Sequence, residues 1–161
     1  MILENFLPGV RHLQNIHPLV IHFPIAFWVG AALFYGLALG LRSDPMARTA
    51  FSLLILGTIS AVVAVATGLY GGEGVMIARS VREHLLEPHK KVMISTLGIS
   101  IILAAWAAVS RPFPNKGRAV FLFILLLLLG IMMVGADYGA RMVYDYNAGG
   151  NACSQPIEFT R

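Results

Sequence analysis

Four apolar runs order the chain, and no Asp, Glu, Lys or Arg lies inside any of them. The first is Ile21–Leu41, which stops at Arg42. The second, Ala50–Tyr70, follows Arg48. The third, Val92–Val109, lies between Lys90-Lys91 and Arg111. The fourth, Val120–Ala136, follows Arg118 and closes on Asp137. A helix needs about 20 apolar residues to cross ~30 Å of hydrocarbon, and each run meets or nearly meets that length. The runs are continuous instead of alternating, which excludes a transmembrane β-barrel. The pattern predicts an all-α integral membrane four-helix bundle over 17–146, with spans of about 20–42, 49–71, 90–110 and 118–140.

Residues 1–16 have a different period. Ile2, Leu3, Phe6, Leu7, Val10, Leu13 and Ile16 recur at helical spacing, with Glu4, Asn5, Arg11, His12, Gln14 and Asn15 in most other positions. That predicts a short amphipathic helix in the membrane interface, interrupted at Pro8-Gly9. The same stripe also suits docking on a partner subunit. Residues 147–161 read as a polar tail. The first run has no charged n-region and no small-residue cleavage site, so it reads as a retained span.

Composition agrees with the membrane reading. The 161 residues suit one domain; 57% are hydrophobic and 12% charged, more apolar surface than a soluble fold of this size can hide. Cys153 is the one cysteine, which excludes an intrachain disulfide, and no C-x-x-C-H exists for covalent haem. The net charge of +4 belongs to a basic rim, so nucleic-acid binding is not indicated.

That rim gives the topology. The short loops 42–49 and 110–118 carry Arg42, Arg48, Arg111, Lys116 and Arg118 against Asp44 alone. Short basic loops stay cytoplasmic, which sends both termini to the periplasm or cell exterior. All five histidines (His12, His17, His22, His84 and His89) then fall on the outer side. Any chemical site is expected there.

Depth picks out two of them. His22 lies 20 residues before Arg42, or ~30 Å of helix, at the outer edge of the hydrocarbon. His89 opens the third run at the same level, on a parallel span. Two imidazoles at one depth in a bundle suit the axial positions of a six-coordinate haem b. On this reading His22 and His89 ligate the iron. His17, about 140° round a regular helix from His22, orients the site or serves as an alternative ligand. One haem is preferred to two, because His17 and His84 lie outside the apolar runs. Arg82 and Arg141, with Arg79, Lys90 and Lys91, are candidates for the propionates. Phe23, Phe27, Trp28 and Met93 are candidates to pack on the macrocycle.

Plainer readings stand beside these. Interfacial histidines are tolerable where water is near. Asp137 and Arg141 are four apart and can pair without function, or they gate a proton path or hold a quinone head group. Tyr138, Tyr144 and Tyr146 fit an aromatic belt. Gly36/Gly40, Gly68/Gly72 and Gly135/Gly139 permit close helix approach, although sixteen glycines give such matches by chance. Pro18 suits a helix's first turn. Pro24 then frees the carbonyl of Val20, or else the regular helix begins at Pro24 itself. His22-to-Arg42 and His89-to-Arg111 form a faint internal repeat.

The stretches HPLVIHFPIAFWV, ATGLYGG, PHKKVMISTLGI and GADYGARMVYDYNAGG resemble a widespread bacterial family of small four-helix membrane proteins, catalogued mainly as a domain of unknown function. Its hallmark is HP-x-x-x-HFPIA at the first span. The resemblance covers about residues 16–150. It implies that His17, His22 and His89 are the motif histidines. It also implies a redox setting, since members occur beside or fused to cytochromes.

The expectation is a membrane-bound b-type cytochrome subunit in a larger redox complex that includes a cytochrome. It would pass electrons between quinol and an external redox partner, without bond-making of its own. The alternatives are a non-redox anchor of a respiratory or photosynthetic complex, and a metal- or proton-handling membrane protein.

Overall fold

A computed structural model describes residues 15–110 and 117–148. Residues 1–14 of the expected interfacial segment 1–16, the loop residues 111–116, and the tail beyond 148 with Cys153 lie outside the described residues.

Four helices are long and apolar enough to span a bilayer: α1 (His17–Leu41), α2 (Asp44–Gly74), α3 (Arg79–Ser110) and α4 (Arg118–Tyr144). The four expected spans are all present. Their ends differ from the expectation, because helices continue past the hydrocarbon wherever the backbone can stay hydrogen-bonded. α1 begins at His17, and α3 begins well before residue 90.

The punctuation is chemical. Pro18 occupies the first turn of α1, where no N–H is needed. Pro24 has no N–H for the carbonyl of Val20. The helix yields there, with a turn at Ile21 and a stretched bond of 3.5 Å from the N–H of Ile25 to the carbonyl of Ile21. α1 ends where Arg42 adopts the left-handed conformation (φ 53°) and the N–H of Ser43 donates back to Ala38. α2 starts on Asp44-Pro45, an acidic residue and a proline suited to a first turn. Gly117, at φ 87°, opens α4.

α3 contains a π-helical turn over Arg82–Leu86, closed by the N–H of Glu87 donating to Arg82. Pro88 accounts for it. It lacks an N–H, and in a regular helix its ring would strike the carbonyl of His84. Widening the preceding turn by one residue relieves both problems.

α1 packs most extensively on α2, and α3 on α4. Contacts of α2 with α3 and a lighter α1–α4 seam close the ring, which leaves α1 and α3 on a diagonal. Toward the 42–43 turn the core is aromatic and aliphatic: Tyr35 meets Phe121 edge-on at 5.1 Å, over buried Leu54, Leu103 and Leu125. Only 28–33% of each apolar window is buried. Residues such as Ile59, Ile102 and Phe123 point outward, as a lipid-facing surface requires. The protein is thus an all-α integral membrane bundle.

Lipid is as apolar as the helix faces, so close packing at small residues must hold the bundle together. Four of the six glycines in the three pairs do this. His17 lies on Gly68, the Lys90 stem on Gly72, Met93 on Gly135 and His89 on Gly139. Gly36 and Gly40 meet nothing within 4 Å. Trp28 lies on Gly57, and its indole N–H has no partner among the described residues.

Candidate functional site: a histidine pair across the bundle

A helical carbonyl is already bonded to the N–H four residues on. It is also shielded by the side chain there, because Cβ atoms lean toward the N-terminus. A glycine at that position uncovers it. This occurs twice at one end of the bundle. His17 Nδ1 donates to the carbonyl of Ala64 at 2.9 Å, and its ring lies on Gly68. His89 Nδ1 donates to the carbonyl of Gly135 at 2.7 Å, and its ring lies on Gly139. α1 is thereby tied to α2, and α3 to α4, by the same device.

These bonds fix the chemistry of the rings. A carbonyl only accepts, so each Nδ1 carries a hydrogen, and in the neutral ring Nε2 is then the atom with the lone pair. The two rings come from diagonal helices and stand 6.5 Å apart between centroids, at 85°. Both are half-buried. Two imidazoles sharing one metal ion at about 2 Å per bond have centroids roughly 6 Å apart. An imidazole whose Nδ1 donates to a backbone carbonyl is also the orientation that metal-ligating histidines use. Around the pair, Thr67 Oγ1 lies 3.3 Å from His17 Nδ1, and Asn15 Oδ1 accepts the backbone N–H of His17 at 3.0 Å. The Asn15 carboxamide packs on Gly71. A shallow outward hollow of about 440 Å³ adjoins it, lined by Asn15, Tyr70, Gly71, Glu73 and Gly74.

The structure brings together His17 and His89, not His22 and His89. His22 is exposed, and its Nδ1 is 3.4 Å from the carbonyl of Leu19 on its own helix. Depth alone sets each histidine against the start of an apolar run. α1 starts earlier, and His22, five residues on, looks out of the bundle while His17 looks in. His84 is exposed and bonded to the carbonyl of Ser80.

The cations are differently employed as well. Arg82 donates to the carbonyls of Gly72 at 3.2 Å and Val75 at 3.1 Å. It thereby satisfies the carbonyls left over at the end of α2. Lys90 pairs with Glu87 at 3.1 Å while its stem covers Gly72. Both stand one turn outward of Gly68. Arg141 is exposed and faces Asp145 at 3.7 Å instead of Asp137. Phe23 is exposed, and Trp28 lies deep in the core. Met93 is one turn inward from His89, with its methyl against Gly135. Gly68 and Gly139, which seat the two rings, are positions that the histidine pattern alone does not find; their signal is a small residue four places after another small residue.

No curated protein and no solved structure matches the chain. The model of a family described as predicted membrane protein DUF2231 matches residues 13–152. That match takes in the four helices, both histidines of the pair and the glycines beneath them, and the chain belongs to the DUF2231 family of predicted membrane proteins.

Proposed function

We propose that this protein is the membrane-embedded b-type cytochrome subunit of a redox complex, with one haem held between His17 and His89. The observation that carries the reading is the pair of imidazoles from diagonal helices, each with Nδ1 tied to a backbone carbonyl, 6.5 Å apart between centroids. The donor set fits. No group of three or more His, Cys, Asp or Glu side chains is clustered among the described residues. Two protein donors complete a coordination sphere when the cofactor brings the other ligands itself, as haem does.

The chain's own residues would do the following. Ala64 and Gly135 hold the tautomer that leaves Nε2 as ligand. Gly68 and Gly139 provide backbone-only walls. Lys90, next to His89 in the chain and half-exposed at the polar rim, would face the propionates, while Arg82 holds the end of α2. Bound haem would supply one-electron transfer between quinol and a redox partner beyond the membrane. The basic 42–49 and 110–118 loops support placing the histidine end on the periplasmic side.

The experiment is a haem and metal assay of the purified protein in detergent. About one haem b per chain is expected, lost from His17→Ala and His89→Ala. A folded wild-type protein without haem after expression in a haem-replete host contradicts it.

One observation favours a second reading. Each histidine joins neighbouring helices through a backbone carbonyl, which is also what a structural clamp in a membrane anchor would do. In that case His17→Ala lowers the melting temperature of a colourless protein.

A further inference from the structure

We infer that the haem-free chain carries a site for one soft monovalent cation, copper(I) or its analogue silver(I), at the same histidine pair. The inference shares its ligands with the function proposed above, and the two are separable by experiment.

Donor number and donor type select the ion. A structural zinc site needs four ligands and a catalytic one three. The described residues offer no cluster of three His, Cys, Asp or Glu side chains. Hard divalent cations need still more oxygen ligands. What the bundle does offer is two imidazoles side by side. Their Nδ1 hydrogens are held by Ala64 and Gly135, and their separation is close to that of two rings on one ion. A closed-shell monovalent cation is satisfied by two nitrogen donors in line, or by three donors with a thioether. Thioether sulfur selects copper(I), and imidazole binds it well.

A candidate third donor lies one helical turn inward of His89. Met93 follows His89 by four residues, so both occupy one face of α3. Both also pack on the same stretch of α4: Met93 on Gly135, His89 bonded to the carbonyl of Gly135 and seated on Gly139. A cation of charge +1 costs less to bring to a half-buried, apolar-walled position than a divalent one, since the desolvation penalty rises steeply with charge. Tying both Nδ1 atoms in advance removes the tautomer and rotamer entropy that binding would otherwise have to overcome. The consequence is competition. A chain loaded with copper(I) has both Nε2 atoms occupied and cannot accept haem iron.

The test uses the full-length chain expressed without haem, in detergent, with ¹⁵N-labelled histidine and silver(I) nitrate as probe. One silver per chain is expected, with the Nε2 resonances of two histidines shifted and split by coupling to ¹⁰⁹Ag while their Nδ1 resonances keep their hydrogens. His17→Ala and His89→Ala should each weaken binding at least 100-fold. Met93→Leu should weaken it about tenfold, and His22→Ala should leave it unchanged. Silver-loaded protein should take up added haemin at a small fraction of the silver-free rate. Circular dichroism and the melting temperature of each variant separate lost binding from lost folding. No binding by the folded wild-type chain overturns the inference, as does coupling at His22 or His84. A haem-containing native protein whose haem-free form ignores silver defeats this inference alone. A silver-binding protein that never takes up haem defeats the cytochrome reading alone.

Discussion

At the scale of single residues, the site depends on two missing side chains as much as on two present ones. An added Cβ at Gly68 would come 2.8 Å from Cε1 of His17, and one at Gly139 would come 3.3 Å from Cε1 of His89. The first distance requires the ring to move; the second asks for a few tenths of an ångström. Gly68→Ala should therefore destabilise by about 1–3 kcal/mol, the usual range for overpacking, and Gly139→Ala by less. Thermal melting in detergent checks the order; equal or reversed effects would mean the rings are not seated as described. His17 is also where the sequence was least legible. Its bonding partner is a backbone carbonyl, which leaves no mark in the residue types, and its access depends on a glycine in a chain that has sixteen. His22 occupies an equally conspicuous place in HPLVIHFP yet faces outward. Five residues of helical rotation separate the two, and only the true start of α1 decides which looks in.

Among the elements, α3 shows how one proline organises a helix end. Pro88 widens the turn ahead of it, and Arg82, the first residue of that turn, reaches back to the carbonyls of Gly72 and Val75. Hydrogen bonds from a charged donor contribute about 1.5–3 kcal/mol each when the group is sheltered, and less at a half-exposed rim such as this one. Arg82→Ala should let the last turn of α2 fray. Amide exchange over residues 70–77 should quicken roughly tenfold while the middle of α2 is unaffected, with Arg82→Lys intermediate. Unchanged exchange in that segment would remove Arg82 from its capping role. The spans themselves were fully legible, because all Lys, Arg, Asp and Glu residues lie outside the apolar runs. Their ends were not, since a helix stops where its hydrogen bonds stop and not where the lipid does. The internal echo shifts with the true start of α1. The two hairpins correspond through His17 and His89, each bonded to a carbonyl four residues before a glycine, not through His22.

For the whole molecule, the arrangement is a bundle that is apolar outward, tightly packed toward the 42–43 turn and chemically equipped at the other end. The positive loops predict which end faces the cytoplasm. In a Cys153→Ser background, a membrane-impermeant maleimide applied to intact spheroplasts should label Asp145→Cys, at the histidine end, but label Asp44→Cys only after permeabilisation. Labelling of Asp44→Cys alone in intact spheroplasts would invert the topology and place the pair beside the cytoplasm. The light α1–α4 seam is the side on which the ring of helices is least closed, and it borders the helix that carries His17.

The central claim is that the diagonal pair His17–His89 holds one haem iron. The visible spectrum of the purified protein, oxidised and dithionite-reduced, tests it most directly when recorded for wild type beside His17→Ala, His89→Ala and His22→Ala. The account predicts a low-spin b-type spectrum with sharp reduced α and β bands in wild type and in His22→Ala, and its loss or conversion to a high-spin form in the other two. A spectrum that survives His17→Ala but disappears in His22→Ala would contradict the pairing described here, and a colourless, folded wild-type protein would contradict the haem.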